Sequence, residues 1–270
     1  ISTAARSSHD GARAMTAVNA LHRGLRILRA INDGHAQVRE ISAACKLPKS
    51  TVARMLETLV ADGYVAQDDR KGYHVTARAL TLSRGYNANE VLLKAARPVL
   101  ESLRQHQIWP SDLAVFDQDA MVVLDTGRDP GTLSLNRTVG SRLPVLVTAL
   151  GRAFLGFANP ELVEHTLARL ARSSEPFDAP AKNAAAARRL LAQVRRQGYA
   201  TGDREYQRTP RTLAVPILVN AVPVASLNIM VVPSAMSMEQ LVKSLLPALG
   251  AAAKSIGAAL SQTARGRGAS

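Results

Sequence analysis

The sequence predicts an α+β chain in two parts: a small helical unit closed by a β wing, then a larger antiparallel sheet with flanking helices, the two joined by a helical linker. Three observations carry this. Apolar residues recur at three- and four-residue spacing from Val18 to Val60. A charged hairpin pattern follows at residues 64–75, and beyond Trp109 short apolar runs alternate with helical periods. A length of 270 residues with 47% hydrophobic content suits two moderate domains.

Val18, Leu21, Leu25, Leu28 and Ile31 lie at helical spacing, and Asp33-Gly34 ends that first helix. A short second helix runs through Val38, Ile41 and Ala44, with Arg39 and Glu40 on its polar face. The turn Lys46-Leu47-Pro48-Lys49-Ser50 follows, with Pro48 suited to a helix start. The third helix buries Val52, Met55, Leu56, Leu59 and Val60 and shows Lys49, Ser50, Thr51, Arg54 and Thr58 on its other face. Gly63 can take a left-handed cap. Tyr64–Gln67 and Tyr73–Val75 then read as two strands around the charged loop Asp68–Gly72.

Helix, helix, turn, helix, wing is the order that sets a rigid helix in a major groove and a hairpin on the adjoining backbone. Residues 15–84 are therefore expected to form a winged helix-turn-helix, with double-stranded operator DNA as partner. Lys49 and the hydroxyls of Ser50 and Thr51 suit phosphate or base edges, Arg54 suits guanine or phosphate, and Arg70 and Lys71 suit the backbone. Two plainer readings stay open here: Ser50 and Thr51 as helix caps, and Arg54 as a solvated arginine. Cys45 reads as a small buried apolar residue.

Charge agrees without deciding. A net +13 favours phosphate backbones, acidic proteins or anionic lipid alike. It is spread along the chain: residues 1–84 carry 13 Lys/Arg against 7 Asp/Glu, and the rest 21 against 14. One cysteine excludes an intrachain disulfide framework, and the six histidines show no metal-ligand spacing, so neither metal nor cofactor is expected. Residues 1–14 read as a disordered segment without a signal peptide, and 263–270 as a flexible tail. The apolar stretch Val215–Pro233 contains Pro216, Asn220, Pro223 and Asn228; it reads as two strands with a turn near Asn220-Ala221, not a membrane span. A cytoplasmic location without membrane contact is the simplest expectation.

Thr76 caps a short helix from Ala77 to Ser83, and residues 85–107 hold a linker helix through Val91, Leu92, Ala95, Val99, Leu100 and Leu103, with a kink or break expected near Pro98. In the second domain, residues 108–262, strands are expected at Asp112–Phe116, Met121–Asp125, Leu133–Leu135, Thr212–Val219 and Val222–Val231. Helices are expected at Thr148–Phe157, Leu162–Leu170, Asn183–Gln197 and Met238–Ala259. Asp112, Asp117, Asp119, Asp125, Asp203 and Glu205 form no acid–base, nucleophile or metal constellation with a histidine, so no enzyme is expected.

The runs Leu21-x-x-Gly24-Leu25-Arg26-Ile27-Leu28, Leu47-Pro48-Lys49-Ser50-Thr51-Val52-x-Arg54-x-Leu56-x-x-Leu59 and Gly63-Tyr64-Val65 resemble the IclR family of bacterial regulators. Matching marks follow in order: Arg142-Leu143-Pro144, Thr148-Ala149-Leu150-Gly151-Arg152-Ala153, Gly198-Tyr199 and Leu213-Ala214-Val215-Pro216-Ile217. The resemblance spans residues 16–262. It implies a homodimer or dimer of dimers on DNA, with a GAF-like effector-binding domain. By resemblance the effector pocket falls on Leu143, Thr148, Ala149, Leu150 and Gly151, with Asp203 and Glu205 nearby and Thr212, Asn228 and Met230 on strands. Free N–H groups at the start of the Thr148 helix would hold a carboxylate, and Leu143, Leu150 and Met230 an apolar body. Trp109 is placed in that pocket, at a dimer contact or in plain core packing.

Arg204-Glu205 stands where the family often has two acidic residues, and Thr209 and Thr212 where glycine and cysteine are frequent. These departures favour an anionic or hydroxylated ligand, with Arg204 as an ordinary surface residue the alternative reading. Trp109–Ala114 together with the Arg142 and Thr148 runs is similar to the branch that regulates phenylpropionate and hydroxyphenylpropionate breakdown, which implies an aromatic acid effector. The alternative is a C-terminal domain that serves oligomerisation or binds a small aliphatic keto acid. Activation and repression both remain open.

Overall fold

A computed structural model describes residues 18–83, 89–127, 138–206 and 210–267. They fall into two compact units that divide between residues 86 and 87. The expected disordered segment 1–14 and the expected strand Leu133–Leu135 lie outside the described residues.

The first unit has helices α1 (Asn19–Asn32), α2 (Val38–Cys45) and α3 (Lys49–Ala61), then strands β1 (Val65–Gln67) and β2 (Tyr73–Val75) and a 3-10 turn over Ala77–Ser83. Its core joins Ile27, Ala30 and Ile31 of α1 to Ile41 and Cys45 of α2, Val52 and Leu56 of α3 and Val65 of β1. The apolar face of α1 differs from the expected stripe. Ile31 is buried, but Val18, Leu21 and Leu25 are exposed, and Ile27 with Ala30 takes their place. The physical reason is that α1 carries apolar residues on two faces, and spacing alone does not say which one meets α2. In α3 the same correction is milder: Val60 at the end of the stripe is exposed.

α2 starts with a reciprocal cap in which Glu40 Oε2 accepts from the N–H groups of Ala36 and Gln37, both at 3.1 Å. Its end turns left-handed at Lys46 (φ 49°). Cys45 is buried; burial pushes its thiol up from the ordinary value, with Arg26 acting in the opposite sense.

The second unit opens with α4 (Glu90–His106), which runs unbroken through Pro98. Its Leu92, Ala96, Leu100 and Leu103 are buried, so the linker helix is also a layer of the domain. Six strands follow: β3 (Ser111–Asp117), β4 (Ala120–Thr126), β5 (Arg142–Pro144), β6 (Ala200–Asp203), β7 (Arg211–Val219) and β8 (Val222–Val231). They form one antiparallel sheet in the order β5-β4-β3-β8-β7-β6. The short β5 and β6 were not expected from the sequence.

Period-two alternation sorts the side chains between two layers. Leu113, Val115, Leu213, Val215, Leu227 and Ile229 pack with α4 and the terminal helix α8 (Met238–Arg267). Ala114, Met121, Val123 and Ala214 pack with α5 (Ala149–Leu155), α6 (Pro160–Ala171) and α7 (Ala184–Gln197). Among the described residues, α8 is the helix long and apolar enough to cross a bilayer. In this fold its Leu241, Leu245, Leu249, Ala252 and Ile256 form one buried stripe against the sheet. The helix also continues to Arg267, beyond the expected end at Ala259. Asp117 and Asp119 are turn residues of the β3–β4 hairpin, as expected, and Arg142 clamps both, at 2.5 and 2.8 Å.

Candidate DNA-binding face and effector cleft

α3 begins at Lys49 with Pro48 in the cap position, and no side chain caps it. Ser50 and Thr51 are therefore the second and third residues of the helix and not its caps. Lys49, Ser50 and Arg54 are exposed and Thr51 is half-buried, while Val52 and Leu56 on the opposite side are fully buried. The Arg54 guanidinium has no ion-pair or hydrogen-bond partner among the described residues. A fixed apolar side and an unengaged polar, cationic side are what a groove-reading helix needs.

The wing tip is built by Asp68, a residue that sequence reasoning passed over. Its Oδ1 accepts from the N–H groups of Arg70 (2.9 Å) and Gly72 (2.7 Å), and its carbonyl accepts from Lys71 N–H at 2.9 Å. This Asx turn places Lys71 in the left-handed region (φ 59°) and leaves the side chains of Arg70 and Lys71 exposed. The wing is tied to the helices where Tyr73 N–H donates to Ala36 O at 2.8 Å and Thr76 Oγ1 donates to Gly63 O at 2.6 Å. Gly63 (φ 74°) takes the expected left-handed cap, and Arg78 lies 5.5 Å from the Tyr64 ring centre.

The second unit holds a small cleft, open to solvent. One wall is the chain entering α5, from Val147 through Thr148 and Ala149 to Leu150; the floor is Gly202, Thr212 and Asn228; the mouth is Arg204, Glu205, Tyr206 and Pro210. Thr148 caps α5, accepting from Gly151 N–H at 3.3 Å while donating to Pro144 O at 2.6 Å. The N–H groups of Ala149 and Leu150 have no partner among the described residues. Asn228 is 1% exposed. Its Oδ1 accepts from Asp112 N–H at 2.8 Å, which fixes the amide orientation because a backbone N–H only donates. The Asn228 Nδ2 is left without a partner among the described residues.

Thr148, Ala149, Leu150, Glu205, Thr212 and Asn228 thus come together as the resemblance implied. The other expected positions stand apart from the cleft wall. Asp203 is one residue out of phase with Gly202 and is not part of the lining; it pairs with Arg211 (3.3 Å) and with Arg204 of the mouth (3.2 Å). Leu143 is buried in the core beneath α5, and Trp109 packs with the α4–α8 layer. Met230 is 1% exposed and paired across from Thr212. Gly151 is pressed to the Val145 backbone, where a Cβ would collide.

Two cleft features were not foreseen. Arg152 is buried, with Nε donating to Leu146 O (2.6 Å) and one terminal nitrogen donating to both Thr201 O (3.1 Å) and Glu205 Oε2 (2.7 Å). A lone arginine in the otherwise apolar α5 is the signal that marks it. Tyr206 at the mouth packs edge-on against Phe177, centroids 4.8 Å apart at 75°, a pairing across 29 positions of sequence with no local signal.

Residues 20–69 match the model of the IclR helix-turn-helix domain, and residues 85–258 match that of the bacterial transcriptional regulator IclR C-terminal domain. The Pca regulon regulatory protein of Pseudomonas putida is 27% identical over 224 residues, 81% of this chain and 75% of its own. The acetate operon repressor of Salmonella typhimurium is 27% identical over 170 residues, 62% of either chain. An IclR homolog from Microbacterium hydrocarbonoxydans, solved with 4-hydroxybenzoate, superposes with a TM-score of 0.63 at 26% identity, covering 89% of this chain and 98% of that one.

Proposed function

Because this chain belongs to the IclR family of bacterial transcriptional regulators, we propose that α3 and the wing read its operator and that the second-unit cleft takes an aromatic carboxylic acid. That it is a DNA-binding regulator with a small-molecule effector domain, and not an enzyme, follows from the family itself. Such a regulator works in the cytoplasm, where its operator is.

The observation that carries the aromatic-acid reading is the Asn228 amide. Its oxygen is spent on Asp112 N–H, which leaves the Nδ2 donor on the cleft floor for a ligand oxygen. A carboxylate is the acceptor that such a donor suits best, and the Tyr206 ring, braced by Phe177, offers an apolar edge for a flat body. The relative solved with 4-hydroxybenzoate supports the same class. Similarity to the acetate operon repressor favours the second reading, a small aliphatic acid.

Calorimetry of the purified chain against benzoate, phenylpropionate, acetate and pyruvate separates the two. The aromatic acids are expected to bind and the aliphatic ones not; the reverse order would establish the second reading. A cleft that binds nothing would leave the domain to assembly.

The regulator is further proposed to act as a homodimer or dimer of dimers. The exposed apolar stripe Val18, Leu21 and Leu25 on α1 supports self-association of the first unit. Effector binding then shifts the population of dimer arrangements and with it the spacing of the two α3 helices on DNA.

A further inference from the structure

One peptide group joins the cleft floor to the linker helix. We infer that Arg104 of α4 is the positioning residue that carries cleft occupancy toward the DNA-binding unit, through the Ser111–Asp112 peptide. This rests on the reading of the cleft as an effector site.

The first peptide of β3 is held at both of its polar ends. Asp112 N–H donates to Asn228 Oδ1 at 2.8 Å, and Asn228 lines the cleft. The carbonyl of the same peptide, that of Ser111, accepts from a terminal nitrogen of Arg104 at 3.2 Å. Arg104 Nε donates to Ser111 Oγ at 3.1 Å, and the terminal nitrogen on the carbonyl also reaches Asp125 Oδ1 at 2.5 Å. A Cβ on Gly127 would strike this guanidinium, so the arginine is seated on bare backbone. The Asp112 side chain is anchored separately, its Oδ1 accepting from Thr126 Oγ1 at 2.8 Å.

Ser111 and Asp112 are both buried. Further along β3, Leu113 packs with α4 and α8 and Ala114 with α5, so successive residues address the two layers in turn. The peptide between Ser111 and Asp112 therefore sits where the linker layer and the cleft layer meet.

Hydrogen bonds at opposite ends of one buried amide polarise each other. A ligand oxygen on Asn228 Nδ2 makes Oδ1 the stronger acceptor, which strengthens the Asp112 N–H bond and, through the same amide, the Ser111 carbonyl as an acceptor for Arg104. The contact has two arrangements: the guanidinium fork engages Ser111 and Asp125 together, or a loosened peptide leaves it to Asp125 alone. Arg104 lies in the last turn of α4, the first helix after the DNA-binding unit, so the choice between them changes how that helix is anchored.

The test measures operator affinity of the full chain with and without saturating 4-hydroxybenzoate, in wild type, Arg104→Lys, Arg104→Met and Asp125→Asn, with calorimetry on each. Arg104→Lys keeps a cation beside Asp125 and removes only the fork, which separates this role from any loss of folding. The wild-type response is expected to be about fivefold or more, and that of both Arg104 variants about twofold or less, with cleft affinity held within about threefold. Asp125→Asn, which leaves the fork on Ser111, should keep the response. An undiminished response in both Arg104 variants would overturn the inference, as would an equal loss in Asp125→Asn, which would assign the coupling to the ion pair. A second measurement needs no ligand: operator DNA should change hydrogen exchange over residues 109–113 by about threefold or more in wild type and leave it unmoved in Arg104→Lys. No change in the wild type would overturn the inference. A wild-type cleft that takes up none of the aromatic acid would overturn the aromatic-acid reading alone, and the exchange measurement then decides.

Discussion

Arg54 carries the most weight of any single residue in the DNA-binding account. It is exposed, unpaired among the described residues, and one turn into a helix whose far side is locked by Val52 and Leu56. A guanidinium so placed can make a bidentate contact to a guanine edge, which is sequence-specific, or a phosphate contact, which is not. Arg54→Ala is predicted to cost about 1–3 kcal/mol on the operator and markedly less on random DNA, measured by fluorescence anisotropy at fixed salt. Equal losses on both would assign Arg54 to phosphate alone. Arg152 plays the corresponding part in the second unit, where three hydrogen bonds from one buried side chain join the α5 loop, β6 and Glu205.

Among the elements, the wing shows how a local rule produces a functional shape. The Asx turn at Asp68 fixes the backbone that carries Arg70 and Lys71, so the presentation of both cations depends on an acidic side chain. Asp68→Ala is predicted to weaken operator binding despite removing a negative charge, because the tip loses its order. Pure electrostatics predicts tighter binding instead, and the sign of the change in anisotropy titrations decides between them. Most elements were legible in the sequence for physical reasons of the same local kind. α3 and the wing announce themselves through a buried stripe, a glycine cap and a charged loop. β5 and β6, at three and four residues, are too short to show alternation and are defined only by pairing with β4 and β7. The exposed face of α1 was misjudged because periodicity identifies an apolar face without naming its partner. The cleft was legible by resemblance at Thr148, Ala149, Leu150, Glu205, Thr212 and Asn228. Asp203 stands beside the lining and not in it because a one-residue phase in a strand changes where a side chain points, and Gly202 and Tyr206 depend on contacts that only the folded chain makes.

At the scale of the whole molecule, two units with separate cores divide two tasks, and a regulator requires them to be coupled. Ligand energy reaches the DNA only if the effector favours one operator-binding arrangement over another, and a ligand indifferent to both would shift nothing. The most direct test of this account is the operator affinity of the full chain with and without saturating 4-hydroxybenzoate at one salt concentration. A change of about fivefold or more in either direction is predicted, in the range of ordinary allosteric coupling. An operator affinity that stays the same while calorimetry shows the cleft filled would contradict it.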